Sequence, residues 1–247
     1  MKENKRIVMI SGVGAGIGQL AAVHFLEKGD IVLGVDIVDE TELLDNFRKN
    51  DDFAYYKTDI TSEEKVKIMF QDVESRFGRL DVLLNIAGGW NTKDEIVDLE
   101  YSRWLSLMDL NINSVFLMSR SAVAIMKKCG GGRIVNTSSI AGRMPVGRSS
   151  VAYATSKAAI VGFTKYLALE SGGYGITVNA VSPGTTLTER TKAARTEPEI
   201  AGLRAKVPLG RLAEPIDSVN AFYFLTSEEA SFINGHTLDV TGGLYMN

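Results

Sequence analysis

The chain of 247 residues predicts a doubly wound α/β fold in which a seven-stranded parallel sheet is flanked by helices. Three observations predict it. Short β-branched runs alternate with longer amphipathic segments almost from end to end. Several of those runs are apolar throughout, as strands covered on both faces must be. A glycine-rich turn joins the first run to the first helical segment. Strands are expected over 6–11, 31–35, 53–57, 82–85, 133–138, 176–181 and 237–240. Helices are expected over 16–28, 41–49, 62–77, 101–128, 152–171 and 215–225. No repeat, low-complexity tract or linker interrupts the alternation, so one domain is expected to span 1–247. The segment 185–214 carries no clear pattern between Pro183-Gly184 and Pro215. It is long for a simple connection, which marks it as a substrate lid or binding loop.

Composition narrows the class. A hydrophobic content of 45% with 23% charged residues is that of an ordinary soluble globular protein. A net charge of −3 argues against a nucleic-acid surface, which needs a basic excess. The start, Met1-Lys2-Glu3-Asn4-Lys5-Arg6, has no apolar signal region, and no apolar run approaches a membrane span. Cys129 stands alone, which excludes an intramolecular disulfide and a cysteine-rich metal cage. A reducing cytoplasm is the expected compartment. No His/Asp/Glu cluster suggests a catalytic metal. His24 and His236 are the only histidines, and without a Gly-x-Ser-x-Gly elbow they give a hydrolase little support.

The turn is Ser11-Gly12-Val13-Gly14-Ala15-Gly16-Ile17-Gly18. With a strand before it and a helix after it, its backbone can approach a pyrophosphate that the helix N-terminus attracts. Asp36 ends the second strand, about twenty residues on. A carboxylate there accepts from adenine-ribose hydroxyls and repels a 2′-phosphate. No Arg or Lys lies within the glycine loop or immediately after Asp36. NAD is therefore the expected cofactor, with NADP disfavoured.

Tyr153 and Lys157 stand four residues apart in a helical segment, and so on one face. A cation close to a phenol favours the phenolate, and such a Tyr can exchange a proton with an alcohol near neutral pH. Alone, this spacing is also that of an ordinary helix surface.

Taken with the other motifs, the chain resembles the short-chain dehydrogenases/reductases over essentially its whole length. The family's glycine motif is matched by Gly12, Gly16 and Gly18, with Ser11 in place of threonine. Asp59-Ile60 resembles its adenine-contacting pair, and Asn85-Ile86-Ala87-Gly88 its fourth-strand motif, with Ile86 replacing the second Asn. Asn111 matches the helix Asn, and the run Asn136 to Gly142 the serine motif. Tyr153 and Lys157 match Tyr-x-x-x-Lys, and Asn179 to Gly184 the sixth-strand motif. The connection from Ser139 to Tyr153 is one residue longer than the usual pattern, so a bulge is expected over 143–150.

The resemblance implies a hydride exchange between a nicotinamide and a secondary alcohol or ketone. Tyr153 would move the alcohol proton, and Lys157 would lower its pKa and hold the nicotinamide ribose. Ser139 would fix the substrate oxygen, and Asn111 would hold a water linking Lys157 to solvent. Ser138 competes for the serine role, but register favours Ser139. Cofactor contacts are implied for Gly12, Gly16, Ile17, Gly18, Asp36, Asp59, Ile60, Asn85, Ala87, Gly88, Tyr153, Lys157, Pro183, Gly184, Thr186 and Thr188, the last beside the nicotinamide carboxamide. Substrate contacts are expected from Ser139, Tyr153, Trp90 and Arg148. Arg143 and Arg148, with Arg190, Lys192, Arg195, Arg204 and Lys206 in 185–214, could steer an anionic hydroxy compound; a solvated amphipathic lid is the plainer account. The rival within the fold is a 3-oxoacyl thioester reductase using NADPH, and a non-catalytic nucleotide sensor is a weaker one. A homotetramer or homodimer is the expected assembly, through the long helices and the C-terminal run 241–247.

Overall fold

The computed structural model describes residues 5–89, 95–147 and 149–247. Seven strands form one parallel sheet: β1 (Ile7–Ser11), β2 (Ile31–Asp36), β3 (Phe53–Lys57), β4 (Val82–Asn85), β5 (Gly132–Thr137), β6 (Ile176–Pro183) and β7 (Thr237–Val240). Their order is β3-β2-β1-β4-β5-β6-β7. The order reverses between β1 and β4, which opens a crevice at the strands' carboxyl ends.

Helices cover both faces. On one lie α1 (Gly16–Glu27), the short α2 (Asp45–Arg48) and α9 (Pro215–Leu225), packed through Phe25, Phe47 and Phe222. On the other lie α3 (Glu63–Phe77), α5 (Ser114–Cys129) and α6 (Val151–Ser171), packed through Phe70, Met118, Met126 and Ala168. Alternation along a strand decides which cluster each side chain joins: Ile7 and Met9 enter one, Val8 and Ile10 the other. The strands are apolar on both sides because both sides are covered.

Two expected helices differ from their prediction. In 41–49 only a 3₁₀ turn, Glu40–Glu42, and α2 form. Leu43 and Leu44 break the run in extended conformations, and Leu43 is thereby buried in the α1 and α9 cluster. The expected helix 101–128 becomes α4 (Tyr101–Met108), a π-turn (Asp109–Asn113) and α5. A widened turn of this kind shifts the backbone register and is frequent at functional sites. The segment 185–214 is not structureless: it holds α7 (Glu189–Ala193) and α8 (Glu197–Arg204). Ile200, Val207 and Leu212 give it a small apolar cluster of its own, against which Leu244 packs.

A buried polar ladder crosses the sheet beneath the crevice. Asn85 Nδ2 donates to Asn136 Oδ1 at 2.8 Å and to Ser119 Oγ at 3.1 Å, and Asn136 Nδ2 donates to Thr164 Oγ1 at 3.0 Å. Ser11 Oγ accepts from the Ile86 and Ala87 N–H groups, both at 3.1 Å, and ties β1 to the turn after β4. Ile86 occupies the other side of that turn and packs against the α1 and α9 cluster, so an apolar residue fits there. Replacing Asn136 by Ala strands buried groups on both neighbours; the expected loss is about 3 kcal/mol of unfolding free energy by urea titration.

Candidate active site

A cleft of about 1050 Å³ opens at the carboxyl ends of the strands. Its floor is the glycine loop, and its walls come from β2, the turn after β3, the turn after β4, the end of β5 and the loop that follows it, α6 and the segment after β6. Most residues assigned from sequence meet here: Gly12, Gly16, Ile17, Gly18, Asp36, Asp59, Ile60, Ala87, Gly88, Ser139, Tyr153, Lys157, Pro183, Gly184, Thr186 and Thr188. Asn85 and Asn111 stand behind the wall and shape it. Trp90 and Arg148 lie outside the described residues.

The glycine loop is a cradle that larger residues would fill. A Cβ on Gly18 would stand 2.1 Å from the Gly12 carbonyl oxygen, so α1 can approach the loop only with hydrogen at that position. Asp36 braces the loop, its Oδ2 accepting from the Gly14 N–H at 2.8 Å and its Oδ1 from Ile37 N–H at 2.7 Å. Asp36 and Asp59 are the charged lining at this end, whereas Arg190, Arg195 and Lys206 line the cleft from the segment after β6, together with Glu189 and Glu199 of the same segment, and Lys157 lines it from α6. A backbone cradle for pyrophosphate and a carboxylate for ribose hydroxyls together suit a dinucleotide.

Lys157 is 3% exposed, and its ammonium donates to the Thr137 carbonyl at 2.7 Å. Burial pushes its pKa down to about 7. Ser138 Oγ donates to the Lys157 backbone carbonyl at 2.8 Å, so this buried hydroxyl ties β5 to α6. Ser139 is the hydroxyl that bonds to the Tyr153 phenol. The register choice of Ser139 over Ser138 thus has a geometric counterpart. Its Oγ also caps a 3₁₀ turn (Ile140–Gly142) by accepting from Ala141 N–H at 3.2 Å.

The expectation that Lys157 lowers the Tyr153 pKa is not met. The ammonium is 5.9 Å from the phenol ring centroid and is turned to Thr137. Burial pushes the Tyr153 pKa up, while the Ser139 hydrogen bond and the Arg190 charge act the other way. Low dielectric moves both groups toward their neutral forms.

Asn111, fully buried in the π-turn, clamps the turn after β4. Its Oδ1 accepts from Gly89 N–H at 3.0 Å, and its Nδ2 donates to the carbonyls of Gly89 at 3.0 Å and Leu107 at 3.1 Å. A Cβ on Gly88 would lie 2.8 Å from Asn111 Oδ1 and 3.3 Å from Lys157 Nζ, so three elements converge on that backbone. The Asn111 side chain thus holds the loop.

Thr186 turns its hydroxyl to the Gly184 carbonyl at 3.2 Å, and Thr188 caps α7 by accepting from Thr191 N–H at 3.2 Å. Arg143 is not a steering charge. Its guanidinium donates to Asp239 at 3.2 Å and lies over the Tyr245 ring, fastening the C-terminal run. Lys192 and Arg204 pair with Glu189 and Glu197 on their own helices. Sequence reasoning missed the apolar lining of Met144, Pro145, Val146, Leu203 and Leu244. Only the fold brings these scattered residues together.

Among the described residues no helix is long and apolar enough to cross a membrane, and no group of three His, Cys, Asp or Glu side chains could hold a metal ion.

Residues 12–245 match the family profile described as enoyl-(acyl carrier protein) reductase. The 3-oxoacyl-[acyl-carrier-protein] reductase FabG of Vibrio cholerae serotype O1 is 35% identical over 98% of each chain. FabG of Escherichia coli K12 is 33% identical, also over 98% of each. Among solved structures, ElxO with NADP bound superposes with a TM-score of 0.90 at 31% identity, covering 98% of this chain and 99% of that one. A short chain dehydrogenase from Leptospira borgpetersenii serovar Hardjo-bovis with bound NAD+ gives 0.91 at 29% identity, covering 98% and 94%. Matched in sequence and in fold along nearly its whole length, the chain belongs to the short-chain dehydrogenase/reductase family of oxidoreductases.

Proposed function

We propose that the chain is an NAD(H)-dependent oxidoreductase that interconverts a 3-oxoacyl thioester and its 3-hydroxyacyl counterpart. The observation that carries the chemistry is the Ser139–Tyr153 hydroxyl pair, set on the cleft wall beside buried Lys157. Ser139 orients the substrate oxygen and stabilises charge on it. Tyr153 gives that oxygen a proton in reduction and takes it in oxidation. Lys157, buried beside this pair, donates to the Thr137 carbonyl and gives the site a charge that depends on pH near neutrality. The glycine loop, Asp36, Asp59, Ile60, Ala87 and Gly88 would hold a dinucleotide, whose nicotinamide would supply or accept the hydride.

The substrate class rests on the relatives, two of which carry the name of a 3-oxoacyl reductase at 33% and 35% identity. They favour this reading over an unspecified secondary alcohol. The apolar lining from Met144 to Val146, facing Leu203 and Leu244, suits an acyl chain. The cofactor reading rests on Asp36 and separates from that of the NADP-bound neighbour. One domain with a substrate lid at 185–214 completes the proposal. The expected partner is a second copy of the chain: Phe116 on α5 and Tyr166 and Leu169 on α6 are exposed apolar side chains.

Tyr153→Phe is expected to lower kcat by at least roughly a hundredfold while NADH still binds. In the native enzyme alcohol oxidation should still be rising with pH at the ordinary tyrosine value of about 10, because oxidation needs the Tyr153 phenolate and burial pushes that pKa up; an oxidation rate that levels off by about pH 8 would refute this reading of the phenol. Turnover compared between the two cofactors should favour NADH by at least about tenfold, whereas a preference for NADPH would remove the reading of Asp36.

A further inference from the structure

Arg190 enters the cleft from the start of α7, whose cap at Thr188 fixes where residue 190 leaves the backbone. Its guanidinium rests on the backbone of Gly89. A Cβ built on Gly89 would stand 2.5 Å from Nη1 and 3.3 Å from both Cζ and Nη2. Any side chain at position 89 would therefore displace the guanidinium from this seat. The platform is itself rigid, since Asn111 bonds both the N–H and the carbonyl of Gly89. From the other side the guanidinium charge reaches the Tyr153 phenol. Arg190 thus stands over the turn after β4, in the same cleft as the proton-exchanging residue.

A guanidinium presents its N–H donors in a planar fork that matches a carboxylate, and one arm of the fork suits a single carbonyl oxygen. A simple ketone offers one oxygen, which Ser139 and Tyr153 already engage. A 3-oxoacyl compound offers a second oxygen, two carbons from the first.

We propose that Arg190 binds the carboxyl-level oxygen of the substrate, at C1 of a 3-oxoacyl or 3-hydroxyacyl group, and so selects such compounds over simple ketones and alcohols. The assignment rests on the hydride-transfer reading above. Two sources share this chemistry: the carbonyl of a thioester and the carboxylate of a free acid.

Isothermal titration of the enzyme–NAD+ complex tests it without turnover. The probes are an acetoacetyl thioester, acetoacetate and 2-pentanone, on native protein, Arg190→Met and Gly89→Ala. Gly89→Ala keeps the charge but displaces it, because the added methyl meets the movable tip of Arg190. Both variants should weaken the acyl probes about tenfold more than they weaken 2-pentanone. Selective loss for the thioester or for acetoacetate supports the assignment and identifies the source. Equal losses for all three probes, no loss, or native protein that binds 2-pentanone and neither acyl probe would overturn it. Reduction of the acetoacetyl thioester by native enzyme and NADH, measured separately, reports on the proposed reaction, so the two claims fail independently.

Discussion

The site depends on where Lys157 is held. Three features at and just beyond the end of β5 meet it: the Thr137 carbonyl accepts from its ammonium, Ser138 Oγ donates to its backbone carbonyl, and Gly142 lies against its peptide. A Cβ on Gly142 would come within 2.5 Å of the Lys157 carbonyl carbon, so this approach leaves no room for a side chain. Helix α6 is thereby pinned to the end of β5. Tyr153, one turn earlier on the same face, is presented to Ser139. The cost is a buried amine whose pKa falls to about 7. A helix allowed to slide by one residue would lose the hydroxyl pair before it lost its packing.

The rest of the cleft is arranged around this pin by charge and by rigidity. Asp36 and Asp59 line the cleft at the glycine-loop end, and Arg190, Arg195 and Lys206, with Glu189 and Glu199, line it from the segment after β6. Between them the turn after β4 must not move, because Gly88 faces Lys157 while Gly89 supports Arg190. The π-turn places Asn111 to hold that turn by both its N–H and its carbonyl. The segment after β6 is anchored through its own apolar cluster to Leu244, which couples the substrate wall to the chain's C-terminal run. Arg143 and Asp239 fasten the same run from below.

Much of this was legible before the fold was known. Parallel strands covered on both faces are continuous apolar runs, so all seven could be placed within a residue or two. Motif register chose Ser139, and Ser138 proves to have a different task. What could not be read depends on contacts between distant residues. Nothing local in Leu110-Asn111-Ile112-Asn113 distinguishes a π-turn from a helix; the distinction is Asn111 reaching Gly89, in a different element. The phenol and amine share a helix face, yet the amine turns to β5, a choice that i,i+4 spacing does not encode. Arg143 and Arg190 look equivalent in sequence, and only tertiary structure sends one to Asp239 and the other into the cleft.

The central claim is that burial, enforced by the pin to β5, holds Lys157 near its midpoint at neutral pH. The direct measurement is an NMR titration of protein labelled with ¹⁵N at the lysine side-chain nitrogens, with the Lys157 resonance assigned by loss in Lys157→Arg. A midpoint near 7 is expected. A midpoint at the ordinary lysine value of about 10.4 would contradict the account.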